Sequence, residues 1–473
     1  MGLFLGLGSA CSEPASSDGV AGAVGMPGAG ASGSASAGAS GSAGGSAGMP
    51  GVVGGSAGAI ASVGGTAAGV GTVAGQGGLG GIGGAGSVAG AAGNTSVAGA
   101  ANSGWVGTWA TAQQLTEDAN EPPAPGLANN TLRQVFQVSI GGARVRLRFS
   151  NEYGNAPLTL TKVHCAVSAG GGAITTGTDK ALTFAGAASV TLQPKEAVFS
   201  DAADFALAPL SKVAVSIQFG AVPTDITGHP GSRTTSYIQA GDGVASASLN
   251  APATADHWYV LSGLDVMAGD SRALVILGDS ITDGRGSTTN GNDRWPDALA
   301  ARLQANAATA KIGVLNQGIG GNAVLSGGLG PTALARFDGD VLKQSGVRWL
   351  IVFEGVNDIG GSTSSTTAQS LIDAYKGFVT KARGAGLGVF GATILPFNGN
   401  TYYSTDHEAA RKTVNDWIRV AGNFDAVIDL DAAVRDPNKL DTLLPAYDQG
   451  DHLHLNPTGY KKLADAVDLA LFK

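Results

Sequence analysis

The chain has 473 residues, 43% of them hydrophobic, and a formal net charge of −8. That length can fill more than one core, so two folded domains are expected. The acidic balance, with no basic cluster and no basic–aromatic interleaving, argues against nucleic acid as a partner, and two cysteines cannot build a disulfide framework.

In chain order, Leu3-Phe-Leu-Gly-Leu-Gly-Ser-Ala10 is a short apolar run ending in small residues, followed by Cys11 and Ser12-Glu13-Pro14. Segment 1–11 resembles the end of a bacterial lipoprotein signal, in which cleavage leaves the cysteine to carry lipid. It departs from that pattern in lacking a basic start and in having Gly8 where leucine is usual. The alternative is a plain secretory signal that happens to include a cysteine. The favoured reading makes Cys11 the lipidated residue and the protein an extracellular or surface lipoprotein. No later apolar run is long enough to span a membrane, so the lipid anchor is the expected membrane contact. From 12 to 104 the composition is Gly/Ala/Ser, with no charge between Asp18 and Glu117 and no aromatic between Phe4 and Trp105. Such a segment cannot bury enough surface to offset its ordering entropy, so a disordered tether is expected.

Residues 105–268 show period-two alternation. Val145, Leu147 and Phe149 alternate with Arg144, Arg146 and Arg148, and Val213, Val215, Ile217 and Phe219 form a second inward row. Further short strands are expected at 134–140, 158–167, 181–184, 189–192 and 258–261, separated by turn clusters. Many strands without helical periodicity predict a β-sandwich or jelly roll. Trp105, Trp109, Tyr153 and His229 are candidates for a sugar-binding surface, with core or interdomain packing as the plainer alternative. Cys165 reads as a small buried hydrophobe.

From 269 to 473 strands alternate with helices. Strands are expected at 272–277, 312–315, 349–353, 388–395 and 426–430, and helices at 295–305, 333–343, 367–385, 407–421 and 457–471. This alternation predicts a flavodoxin-like, three-layer α/β/α domain with a five-stranded parallel sheet, whose reactive groups collect at the carboxyl ends of the strands. Ala273-Leu-Val-Ile-Leu277 ends in Gly278-Asp279-Ser280, which holds a serine at the tip of a buried strand. The glycine-rich Asn316–Asn322 follows the second strand, and Glu354-Gly-Val-Asn-Asp358 puts Asn357 after the third. Asp451 and His454 lie three apart just before Asn456, a good N-cap, and Pro457, a good first helical residue. A carboxylate so placed can orient the imidazole, leaving its other nitrogen to deprotonate a serine.

Four blocks, Gly278-Asp-Ser-Ile281, Gly318-Ile-Gly-Gly-Asn322, Gly355-Val-Asn-Asp358 and Asp451-His-Leu-His454, resemble in order those of the SGNH or GDSL hydrolases. The resemblance implies Ser280 as nucleophile, His454 as base and Asp451 as its orienting acid. It implies an oxyanion hole from the N–H groups of Ser280 and Gly321 and the Asn357 amide, with Gly320 competing for the second place. A strand-rich domain in front of the hydrolase also resembles secreted members of that family. A metal site on Asp451, His452 and His454 lacks a clear further ligand, and no metal or cofactor is expected. The serine loop is neither a phosphate cradle ending in Gly-Lys-Ser/Thr nor a Gly-x-Ser-x-Gly elbow. Phe397, Tyr402 and Tyr403, in the loop after the fourth strand, are expected to shape the substrate pocket. The substrate expected is a short-chain acyl ester, with acetylated carbohydrate favoured and polysaccharide a possible partner. The alternatives are a lipid esterase of the lipase or lysophospholipase type and a tethered carbohydrate-binding surface protein.

Overall fold

The structure, a computed structural model, describes residues 104–473. Cys11, the signal-like run and almost all of the Gly/Ala/Ser segment lie outside the described residues. The described part begins as a region of antiparallel strands. One sheet contains β1 (Trp105–Ala110), β2 (Gly142–Ser150) and β3 (Leu261–Met267), with β3 between the other two. Val145, Leu147 and Phe149 of β2 are fully buried, whereas the arginines between them are partly exposed, as alternation requires. A second antiparallel sheet is centred on Lys212–Phe219, paired with Thr131–Gln137 on one side and Leu158–Gly170 on the other. Cys165 is buried there, which pushes its thiol up to about 12.

A parallel sheet follows. Its strands are β4 (Arg272–Gly278), β5 (Ile312–Gly318), β6 (Val347–Phe353), β7 (Gly388–Ala392) and β8 (Ala426–Ile428), in the spatial order β5-β4-β6-β7-β8. This is the 2-1-3-4-5 order of flavodoxin-like sheets. Leu274 to Leu277 are fully buried because strand neighbours lie on both edges and helices supply the rest.

The fourth strand is shorter than its apolar run promises, since Ile394 is taken out of the sheet by side chains. Its N–H donates to Asn415 Oδ1 at 2.8 Å, and its carbonyl accepts from Asn415 Nδ2 and Arg411. The helix expected over 333–343 is two pieces, Ala333–Phe337 and a wider turn at Asp338–Leu342, with Gly339 inside the second. The last helix stops at Asp465, and a separate short turn covers Leu469–Phe472.

The strand-rich region and the parallel sheet share one hydrophobic core. Their backbones touch closely: a Cβ on Gly313 of edge strand β5 would lie 2.3 Å from the Gly107 carbonyl oxygen of β1. Gly107 N–H donates to Ser345 O at 2.9 Å, and Val314 N–H donates to Ser139 Oγ at 2.9 Å. The edge of the parallel sheet is thereby covered rather than left open.

Candidate active site

Four loops bring their residues to the carboxyl edge of the parallel sheet. After β4, Asp279 caps a single turn, α1 (Ser280–Asp283), by accepting the Ile281 N–H, and Gly284 at φ 104° closes it. Ser280 is thus fixed at the first position of the turn, 5% exposed. Before the last helix, Asn456 accepts the Gly459 N–H and Pro457 occupies the first position, which anchors the loop carrying Asp451 and His454.

Ser280 Oγ lies 2.7 Å from His454 Nε2, and His454 Nδ1 lies 2.7 Å from Asp451 Oδ2. With a carboxylate on one side, Nδ1 carries the proton and Nε2 is free to accept the serine hydroxyl. Asp451 Oδ1 accepts the N–H groups of Leu453 and His454, and Oδ2 also accepts from Gln449 Nε2 at 2.7 Å. Burial works against ionisation of Asp451, but these donors outweigh it and hold its carboxyl down at about 2. Burial lowers the pKa of His454. Asp451 opposes that shift, while the nearby Arg285 and Arg233 add to it.

Asn357 sits in the turn Val356–Gly360, entered through Gly355 at φ 111°. Its Nδ2 donates to Asn322 O at 2.8 Å, and its Oδ1 accepts the Tyr402 hydroxyl at 3.0 Å. The amide is held at both ends, and one N–H of Nδ2 remains for a ligand. The neighbouring Asp358 accepts the N–H groups of Val324 and Leu325, which ties the glycine loop to the same turn. Gly321 adopts φ 69° in that loop. Among the described residues, none accepts the N–H of Ser280 or of Gly321.

The three loop aromatics separate. Tyr402 reaches the site, its ring packed so close to Gly360 that a Cβ there would fall 2.1 Å away. Phe397 is fully buried and packs edge-on against Tyr403, and the Tyr403 hydroxyl donates to Asp441 Oδ2 at 3.0 Å. Phe397 is thus part of the core, whereas Tyr403 stays partly exposed with its hydroxyl engaged. His452 donates from Nδ1 to Asp448 Oδ2 at 2.6 Å, which occupies it away from His454.

Two residues near the serine were not anticipated as a pair. Asp283, at the end of α1, is 2.9 Å from Nε2 of His229, which belongs to the strand-rich region, and His229 Nδ1 faces the Ala112 carbonyl at 2.9 Å. Both ring nitrogens face acceptors. Asp283 Oδ2 has no hydrogen-bond partner among the described residues, with Arg233 Nη2 standing 3.9 Å off. The spacing of Asp283 from Ser280 puts both on one turn, but no sequence signal connects Asp283 to a histidine so far upstream.

Beneath the site lies a buried acid cluster. Asp279 is pushed up to about 7 by burial, and Glu354 and Asp358 are also raised by burial. Arg336 ties the layer together, donating to Glu354, to Asn322 Oδ1 and to the carbonyls of Gly278 and Gln317.

The sequence of residues 276–462 matches the family model of the GDSL-like lipase/acylhydrolases. This segment is a GDSL-like acylhydrolase domain. The GDSL domain therefore makes the protein a carboxylic ester hydrolase. No curated protein sequence matches the chain. Among solved structures, the chain is 22% identical to a G-D-S-L-family lipolytic protein of Desulfitobacterium hafniense, covering 41% of this chain and 97% of that one with a TM-score of 0.33. It is 23% identical to an acetylxylan esterase of Geobacillus stearothermophilus, covering 41% and 91% with a TM-score of 0.32. It is also 23% identical to an α/β hydrolase from the metagenome of Lake Arreo, Spain, covering 41% and 92% with a TM-score of 0.32.

Proposed function

We propose that the protein hydrolyses short-chain acyl esters of carbohydrates outside the cell, through an acyl-enzyme on Ser280. The observation that carries the mechanism is the continuous relay from Ser280 Oγ to His454 and from His454 to Asp451, each step 2.7 Å long. In this reading His454 Nε2 takes the hydroxyl proton as Ser280 Oγ attacks the ester carbonyl. The oxyanion forms against the N–H groups of Ser280 and Gly321 and the unused Asn357 N–H. His454 then protonates the departing alcohol. In the second half it takes a proton from water, which attacks the acyl carbonyl and releases the acid and Ser280.

Polar and small groups at the serine support the short-acyl reading. Gln449 donates to Asp451, the charges of Arg285 and Arg233 act on His454, and Tyr402 spends its hydroxyl on Asn357. A lipid chain would need an apolar wall that these residues do not provide. The strand-rich region is read as a β-sandwich, supported by two antiparallel sheets that contribute to one core. An extracellular site, with Cys11 lipidated, rests on the sequence of segment 1–11 alone.

The test compares aryl esters of increasing acyl length with acetylated xylan, using the intact protein and Ser280→Ala. The reading expects turnover to be highest on acetyl esters, to fall with chain length, and to drop to background in the variant. Full activity of Ser280→Ala would remove the serine mechanism, and a preference for long chains would replace the substrate with a lipid ester.

A further inference from the structure

Of the residues considered for sugar binding from sequence, Trp105, Trp109 and His229 are buried in packing. Tyr153 is the exception. It is half-exposed and lines a cleft of about 250 Å³ between the strand-rich region and the GDSL domain. None of Ser280, His454, Asp451, Asn357 or Gly321 lines this cleft.

Two features define what it would hold. First, two amides line opposite walls, Gln317 and Gln113, each with an Oε1 that is closed off from solvent and has no hydrogen-bond partner among the described residues. A buried carbonyl left unpaired is costly, so an occupant that donates hydrogen bonds is favoured. Second, the charges cancel, with three cations (Arg148, Arg336, Lys343) facing three anions (Glu152, Asp338, Asp340). Asp340 is already engaged by Arg336 and Asp338 by Lys381. A balanced wall gives an ionic ligand no net attraction, whereas hydroxyl groups can donate to either amide and accept from Arg148 or Lys343. The Tyr153 ring adds a flat amphipathic face. The size falls just below the ~300–1,000 Å³ of pockets for drug-sized ligands, as suits a single sugar ring.

We infer that this cleft is a second binding site, separate from the serine centre, that takes one neutral sugar unit of a glycan through Tyr153, Gln113 and Gln317. It would hold a polysaccharide on the enzyme whether or not the bound unit carries an ester. The inference does not depend on which ester is cleaved, because binding is read without turnover.

The experiment is calorimetric titration of the Ser280→Ala protein with xylohexaose, cellohexaose and mannohexaose. Binding of at least one is expected. Tyr153→Ala, added to Ser280→Ala, should weaken it by about 2- to 10-fold, as loss of an aromatic contact does. Ala335→Trp tests the same point without removing any native contact, because Ala335 is exposed and lines the cleft. It should abolish binding by filling the space. Both substitutions in the otherwise intact enzyme should leave turnover of a small aryl acetate unchanged, which separates this site from the serine centre. Absence of binding by every oligosaccharide, or equal binding by folded Tyr153→Ala and Ala335→Trp variants, would overturn the proposal.

Discussion

Replacing Asn357 by alanine removes a donor whose geometry is set by two other residues. One N–H of its amide is committed to Asn322 O, and its carbonyl is held by the Tyr402 hydroxyl. The second N–H is left for the oxyanion, so Asn357→Ala should lower kcat by about 10²–10³-fold, the range for loss of one such donor. Tyr402→Phe keeps that donor but frees the amide to rotate. Losing one neutral hydrogen bond of about 0.5–1.5 kcal/mol gives an expected fall of about 2- to 10-fold. Because Tyr402 acts through Asn357, the double variant should be no slower than Asn357→Ala alone. The assay is steady-state hydrolysis of an aryl acetate by the four proteins of this cycle, with folding checked by thermal melting. Near-full activity in Asn357→Ala would remove the amide from the mechanism. Independent, multiplying losses in the double variant would show that Tyr402 touches the substrate directly.

Other expectations follow from the electrostatics and packing. Burial, with Arg285 and Arg233 close by, lowers the pKa of His454, and only the neutral imidazole can act as base. The acid limb of kcat/KM should therefore have its midpoint below the ordinary histidine value of 6.5, and Arg285→Ala should move it upward; a midpoint above 6.5 in the intact enzyme contradicts this assignment. Asp279, raised by burial from 3.8 to about 7, favours folding most below pH 3.8, and that contribution is lost as pH rises through about 7. Asp279→Asn keeps the acceptor for Ile281 N–H, so its melting temperature relative to wild type should rise between pH 5 and 9; a flat difference would refute the shift. His229→Ala removes the hydrogen-bond partner of a buried Asp283 oxygen, so it should cost about 1–3 kcal/mol in denaturant unfolding. A loss of only a few tenths would mean that the contact contributes little.

The placement of the candidate site residues was easier to read than the packing around them. Ser280, Asn357, Asp451 and His454 each follow a strand or precede a helix whose apolar pattern is local, and local signals fix which sheet edge they reach. The five parallel strands were legible for the same reason. What escaped depended on contacts distant in sequence. Asn415 and Arg411 end the fourth strand early by capturing Ile394, and that decides why Phe397 is core while Tyr402 reaches Asn357. The His229–Asp283 pair joins two regions, and no periodicity encodes such a meeting. Tyr153 was legible as a candidate for a sugar-binding surface; the opposing wall that makes it part of a cleft comes from the GDSL domain.

The central claim is that Ser280 becomes acylated during turnover. It is tested most directly by quenching the enzyme in acid while it hydrolyses an aryl acetate, then mapping its peptides by mass spectrometry. The account predicts an acetyl group on the peptide containing Ser280, and none on that peptide in Ser280→Ala. Turnover with no acylated serine, or an acetyl group stably carried by another residue at catalytic rates, would contradict it.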